Sequence, residues 1–180
     1  MIKTIKTTRI FKVIAVCAAM LLPTMNAQAQ KLVEEQQRGT IFEQVEKARA
    51  TQANVQELLN LAYTFRGVPY RYGQASPSGF DCSGFTSYVF KQFGIKLDRT
   101  AGGQMNNGER VARADLKPGD LVFFTGRAIT SRIGHVGIVT QVNSDNTFNF
   151  IHAASRGITV SNINESYYKC RYMGACRVLQ

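Results

Sequence analysis

Apolar positions fall into four kinds of pattern along the chain. Val13 to Leu22 is apolar throughout. After a polar stretch, Ile41, Val45 and Ala48 repeat weakly at helical spacing, and Val55, Leu58, Leu59 and Ala62 do so clearly, ending near Gly67. Val68 to Gly73 reads as extended and turning, and Ser76-Pro77-Ser78-Gly79 as a loop. Phe85, Tyr88, Val89 and Phe93 then line one helical face, with Asp81 as N-cap and Gly94 at the C′ position. Residues 99–110 read as a flexible surface loop, and 116–120 as a turn feeding a buried strand over 121–124. A second loop covers 125–133. Strands follow over 135–142 and 148–152, joined by a turn at Ser144-Asp145-Asn146. Helices first and antiparallel strands after predict an α+β domain.

The first apolar stretch does not belong to that fold. Lys3, Lys6, Arg9 and Lys12 precede it, and Ala27-Gln28-Ala29 follows as a small-x-small site. This is the form of a secretory signal peptide cut after Ala29, too short for a membrane span. Cys17 follows the bulky Val16 with Lys12 close upstream, which argues against a lipidation site. The expected organisation is a leader over 1–29, a polar segment or helix over 30–55, and one domain over 56–180. The expected product is an exported monomer with no stable membrane anchor after cleavage.

Formal charge is +10, and +6 remains without the leader, which holds four basic residues and no acidic one. That surplus suits an anionic partner, such as a carboxylate-rich cell-wall peptide. The basic residues are scattered and carry no nucleic-acid motif, so nucleic acid is not expected. Without the leader three cysteines remain, Cys82, Cys170 and Cys176, and the odd count leaves at least one thiol free. Cys170 and Cys176 could pair only if the chain turns between them, since six extended residues span about 20 Å.

Asp81-Cys82-Ser83-Gly84 places Cys82 in the first turn of the capped helix. A helix N-terminus offers partial positive charge and free amides, and a neighbouring imidazolium would lower a thiol pKa further. His135 and His152 are the only histidines of the chain. If the connection between their strands has two or four residues, opposed positions sum to an odd number. With two, His135 faces position 156 and His152 faces 139. Both rings then share a face, the one bearing Gly137 and Val139, with Gly137 leaving room near the helix. A three-residue loop would reverse one ring. On this reading Cys82 attacks a carbonyl, His135 moves the proton, His152 holds the tautomer of His135, and the Cys82 amide with the Tyr70 hydroxyl forms an oxyanion site. A Cys/His/His zinc site is the chemical rival, but the close ligand pairs of zinc motifs are missing.

With these motifs in this order the chain resembles the NlpC-type cysteine peptidases of bacterial cell walls, a papain-like superfamily. The resemblance covers roughly residues 56–180. It rests on Gly67-Val68-Pro69-Tyr70-Arg71-Tyr72-Gly73, Phe80-Asp81-Cys82-Ser83-Gly84-Phe85, Lys117-Pro118-Gly119-Asp120, Gly134-His135-Val136-Gly137 and Phe150-Ile151-His152-Ala153. The stretch Asn164-Glu165-Ser166-Tyr167-Tyr168 through Leu179 looks most like the single-domain Spr-type murein endopeptidases. The resemblance implies a papain-like fold, with the cysteine helix packed on an antiparallel sheet that carries both histidines. It implies Cys82 as nucleophile, His135 as base, His152 as the polar third member, Tyr70 beside the thiol, and Asp81 and Ser83 lining a subsite. It also implies hydrolysis of peptidoglycan stem peptides, at the γ-D-glutamyl-diaminopimelate or the D-alanyl-diaminopimelate bond, without a metal or organic cofactor. The alternatives on the same scaffold are a non-catalytic wall-binding module and an acyltransferase or amidase. Gln74 stands where a second glycine is usual and Ala101 where a serine is common.

Overall fold

A computed structural model describes residues 27–179, so the leader expected over 1–29, with Cys17, lies almost wholly outside the described residues. The chain divides into two compact units, Met1–Arg49 and Ala50–Gln180. The stretch expected as a polar segment or helix over 30–55 is part of one continuous helix, α1 (Ala27–Thr64). Its commonest residues are Gln, Ala, Glu and Leu, which lose little side-chain entropy in a helix, and Gly39 is not enough to break it. Up to Arg49 the helix is largely exposed, including Leu32, Ile41, Phe42 and Val45. Among the described residues no helix is long and apolar enough to cross a membrane.

In the second unit the buried stripe of α1 is Val55, Leu58, Leu59 and Ala62, as the helical spacing predicts. A hairpin follows, β1 (Ala75–Ser76) and β2 (Gly79–Phe80), turning through the Pro77-Ser78 loop. Helix α2 (Cys82–Lys91) carries the cysteine at its first position. Gly94 takes a positive φ of 75°, and the Ile95 amide returns to the Phe90 carbonyl, which closes the helix.

The segment 99–110 is not the flexible loop its composition suggests. Thr100 caps a short helix, α3 (Ala101–Gln104), by accepting from the Gly103 amide at 3.1 Å. Gln104 and Met105 are buried. The Gln104 amide accepts from Thr86 Oγ1 at 2.7 Å and donates to the Ser83 and Asp98 carbonyls at 3.0 and 2.8 Å. Buried side-chain hydrogen bonds to α2 thus order a segment whose own residues favour turns.

The main sheet holds β3 (Glu109–Val111), β4 (Leu121–Thr125), β5 (Ile133–Val142), β6 (Phe148–Ala154), β7 (Gly157–Asn162) and β8 (Tyr172–Arg177) in the order β3-β8-β4-β5-β6-β7, every pair antiparallel. A one-turn helix, α4 (Ser166–Lys169), precedes β8. One face of the sheet, with Leu121, Phe123, Val136, Ile138 and Ile151, packs on α1 and on Phe85, Val89 and Phe90 of α2. The other face, with Val122, Phe124, Val139, Phe148 and Phe150, packs on Tyr168 of α4.

The β5–β6 connection is the odd loop that would have turned one histidine away. The Asn143 amide donates to the Thr147 carbonyl at 2.8 Å, leaving three residues at the tip, with Asn146 at a φ of 60°. Near the loop the register is even, Val142 opposite Phe148. A bulge between Val139 and Gln141 inserts one residue in β5, so Ile138 faces Ile151 and the sum is odd again. Both histidines therefore share a face. It is the face away from α2: a Cβ on Gly137 would come within 2.7 Å of the Phe150 ring and 3.1 Å of His152 Cβ, so this glycine makes room for those side chains and not for the helix.

Candidate active site

Cys82 sits where two strands part. The β5–β6 pairing stops at Ile138–Ile151 while β6 continues with β7 to Ala154. Val139 turns both its N–H and its C=O toward the β4 side, so Gly134 and Val136 present theirs to the gap left by β6. Cys82 Sγ occupies this gap, 3.9 Å from the Gly134 carbonyl oxygen. The backbone N–H groups of Ser83, Val136 and Cys82 itself all favour its anionic form. Burial outweighs them, helped by the Asp81 carboxylate, and pushes the thiol up from its ordinary value. This corrects the expectation of a thiol lowered by its helix. The resting sulfur is protonated at neutral pH.

Asp81 fixes the helix start. Its Oδ1 accepts from the Gly84 amide at 2.6 Å and from Arg99 Nη1 at 3.0 Å, and its Oδ2 accepts from the Gly73 amide at 2.9 Å and from Arg99 Nη2. Burial disfavours the carboxylate, but Arg99 and the Gly84 amide more than compensate and hold its pKa below the ordinary value. Ser83 Oγ accepts from Arg99 Nη1 at 3.0 Å. Asp81 and Ser83, expected to line a subsite, are thus both buried and engaged by Arg99, a residue to which the sequence reading gave no role.

His135 and His152 meet edge to face, with His135 Nε2 and His152 Nδ1 2.9 Å apart. His152 is fully buried, and its Nε2 lies 3.3 Å from the Tyr168 hydroxyl. The Tyr168 ring also lies over that of His135, inclined by 27° with centroids 6.5 Å apart. Burial lowers the His135 pKa to about 4 and lowers that of His152 as well, so both rings are neutral at pH 7. Tyr70 bridges to Phe80, and the anionic form of its hydroxyl is disfavoured by burial and by nearby Cys82. Tyr70, Gly134, His135, Arg127, Arg156 and Glu165 are among the residues lining a cleft of ≈ 560 Å³.

The structure therefore brings Tyr70, Asp81, Cys82, Ser83, His135 and His152 to one region, with the sulfur against the residue that precedes His135. Cys170 is exposed, Cys176 is buried in β8, and both are free thiols. Among the described residues no group of three or more His, Cys, Asp or Glu is placed to hold a metal ion.

Residues 67–177 match the NlpC/P60 family, and the chain belongs to that family. It is 43% identical over 117 residues to the murein DD-endopeptidase MepS/murein LD-carboxypeptidase of Escherichia coli (strain K12), an alignment covering 64% of this chain and 58% of that one. It is 41% identical over 128 residues to the probable peptidoglycan endopeptidase LytE of Bacillus subtilis (strain 168), covering 71% and 35%. The crystal structure of an NlpC/P60 family protein from Bacillus cereus superposes with a TM-score of 0.64 at 34% identity, covering 70% of this chain and 40% of that one. The α+β, papain-like architecture is thus that of the family. The match reaches just over half the length of the Escherichia coli relative and about a third of the Bacillus subtilis one.

Proposed function

We propose that this chain is a cysteine endopeptidase that hydrolyses peptide bonds in the stem peptides of peptidoglycan, acting in the cell envelope after export. The observation that carries the reading is the thiol in the β5–β6 gap beside the residue leading into His135, with His152 hydrogen-bonded behind that ring. Membership of the family and the likeness to named murein and peptidoglycan endopeptidases support the same chemistry. Arg127 and Arg156 in the cleft suit the carboxylates of such peptides.

The protonation states define the sequence of events. A neutral thiol and a neutral imidazole wait in the free enzyme. As a carbonyl enters, the Cys82 proton passes to His135, and sulfur attacks the carbonyl carbon. The oxyanion collects at the free amides of the α2 start, with the Tyr70 hydroxyl as second donor. His135 then gives the proton to the leaving amine, and water, deprotonated by the same ring, hydrolyses the thioester. His152 holds the ring in position. The bond cut is the D-alanyl-diaminopimelate or the γ-D-glutamyl-diaminopimelate bond, and product masses tell the two apart.

Mass spectrometry of muropeptide digests tests both activity and bond. Purified protein should release products of one cleavage, and Cys82→Ala, still folded, should release none. Undiminished cleavage by that variant would end the proposal.

A further inference from the structure

The cleft beside His135 holds charges of both signs that do not cancel. Arg127 and Arg156 line it and are exposed, and Glu165 lines it with them. Glu165 Oε2 accepts from Ser161 Oγ at 3.3 Å, and its Oε1 accepts from the Asn162 amide at 2.8 Å. Among the described residues neither arginine forms an ion pair with Glu165 or with any other carboxylate. Two guanidiniums against one carboxylate leave the cleft a surplus of positive charge, open to an anion.

Both arginines stand on backbone that the fold holds in place. Ala154 pairs with Gly157, so Ser155 and Arg156 form the tip of the β6–β7 hairpin. Gly157 takes a φ of 104°, and a Cβ there would come within 2.8 Å of the Val68 carbonyl oxygen. The Ile158 amide donates to that oxygen at 2.9 Å, and the Gly67 amide donates to the Ile158 carbonyl at 2.9 Å. The tip is thereby tied to the segment that leads into Tyr70. Arg127 follows Gly126, whose Cα would lie 2.7 Å from a Cβ on Gly134, the residue before His135. The Arg127 carbonyl accepts from Arg171 Nη2 at 3.5 Å, and the Arg171 guanidinium lies over the Tyr167 ring, 3.9 Å from its centroid.

The place of the cleft decides which half of the substrate meets these charges. As the base, His135 gives its proton to the amine that leaves, so the leaving half lies on the His135 side of the scissile carbonyl. His135 lines the cleft, and Asp81, Ser83 and Arg99 do not. At either candidate bond the leaving residue is diaminopimelate. Lysine is the same residue without one carboxylate.

We infer that Arg127 and Arg156 read this carboxylate, so that the enzyme prefers diaminopimelate stems over lysine stems and over stems in which the same carboxyl is amidated. A guanidinium fork meets a carboxylate through paired, charge-assisted N–H donors. An amide offers it one oxygen and no charge, and lysine offers nothing at that carbon. The inference rests on the peptidase reading for the side of the bond, but its binding test does not require turnover.

Three matched stem peptides test it, carrying diaminopimelate, its amidated form or lysine. With the whole protein, kcat/KM for the diaminopimelate peptide should exceed that for either other peptide about tenfold or more. The preference should shrink as NaCl rises from about 0.05 to about 0.5 M, because both guanidiniums are exposed. In the double variant Arg127→Gln and Arg156→Gln, with folding checked by circular dichroism, the ratio should fall to within about twofold of one. Equal rates on the three peptides in wild type, or a preference undiminished in the double variant, overturns the inference.

Titration calorimetry of the same peptides against Cys82→Ala gives the second readout. The diaminopimelate peptide should bind about tenfold more tightly than the other two, and all three should bind alike once both arginines are replaced. If the wild type turns nothing over, or if Cys82→Ala still cleaves, the peptidase reading fails, and the affinity order alone decides the inference.

Discussion

Replacing Asp81 by Asn tests the helix start in two independent ways. The amide oxygen of Asn can still accept from Gly84, so the cap survives. The amide nitrogen, however, must replace Oδ2, which accepts from the Gly73 amide and from Arg99. Donor then faces donor. A buried N–H left without an acceptor costs about 1–3 kcal/mol. The Arg99 side chain keeps 47% of its exposure and can return to water, so its lost pairing adds only about 0–1 kcal/mol. The sum is about 1–4 kcal/mol, a fall in Tm of roughly 3–16 °C for a unit of this size. The same change removes the carboxylate that pushes Cys82 up, so the thiol should titrate at lower pH than in wild type. Arg99→Gln should move the thiol the other way, because Asp81 keeps its charge and loses its partner. Thermal melts at pH 7.5 measure the first effect. Alkylation rates of the Cys82 peptide, followed by mass spectrometry to separate it from exposed Cys170, measure the second. A Tm within about 2 °C of wild type, or a Cys82 rate profile unchanged in Asp81→Asn, would refute the assignment.

Three further outcomes follow from the same geometry. In wild type the Cys82 alkylation rate should keep rising through pH 8, since burial holds the thiol up, and a plateau reached below pH 7 would contradict that. His135 is held to about 4 against an ordinary 6.5, so an unfolded chain binds its proton first on acidification. Native stability is then complete above about pH 6.5 and is lost as pH falls toward 4, by about 3 kcal/mol across that window. Urea midpoints at pH 7 and 4.5 measure the loss, and His135→Gln should shrink it. Gly84→Ala should abolish activity and lower stability, because a Cβ there overlaps the Gln74 carbonyl and lies 2.9 Å from Asp81 Oδ1; wild-type cleavage rates in this variant would contradict the described packing.

The elements whose chemistry is local were legible in the chain. Asp81 before Cys82 and Gly94 at the close mark α2 because caps are read by nearby amides and carbonyls. The alternation around His135 and His152 identifies neighbouring strands. What escaped depends on distant partners. Residues 101–104 form a helix because Gln104 bonds back to α2, and no local pattern announces that. The shared face of the histidines survives an odd loop only through the bulge between Val139 and Gln141. Arg99 and Tyr168 look like an ordinary loop charge and a core aromatic until the fold sets them against Asp81 and His152. The thiol was misjudged for a similar reason: the helix start is local, whereas the burial that outweighs it comes from β5 packing over the sulfur.

The most direct measurement is the product profile of purified protein on defined muropeptides, with Cys82→Ala and His135→Ala beside it and folding checked by circular dichroism. The account predicts a single amide cleaved, its bond fixed by product masses, and no product from either folded variant. Product from folded Cys82→Ala, or an inactive wild type that binds muropeptides without turnover, would contradict it.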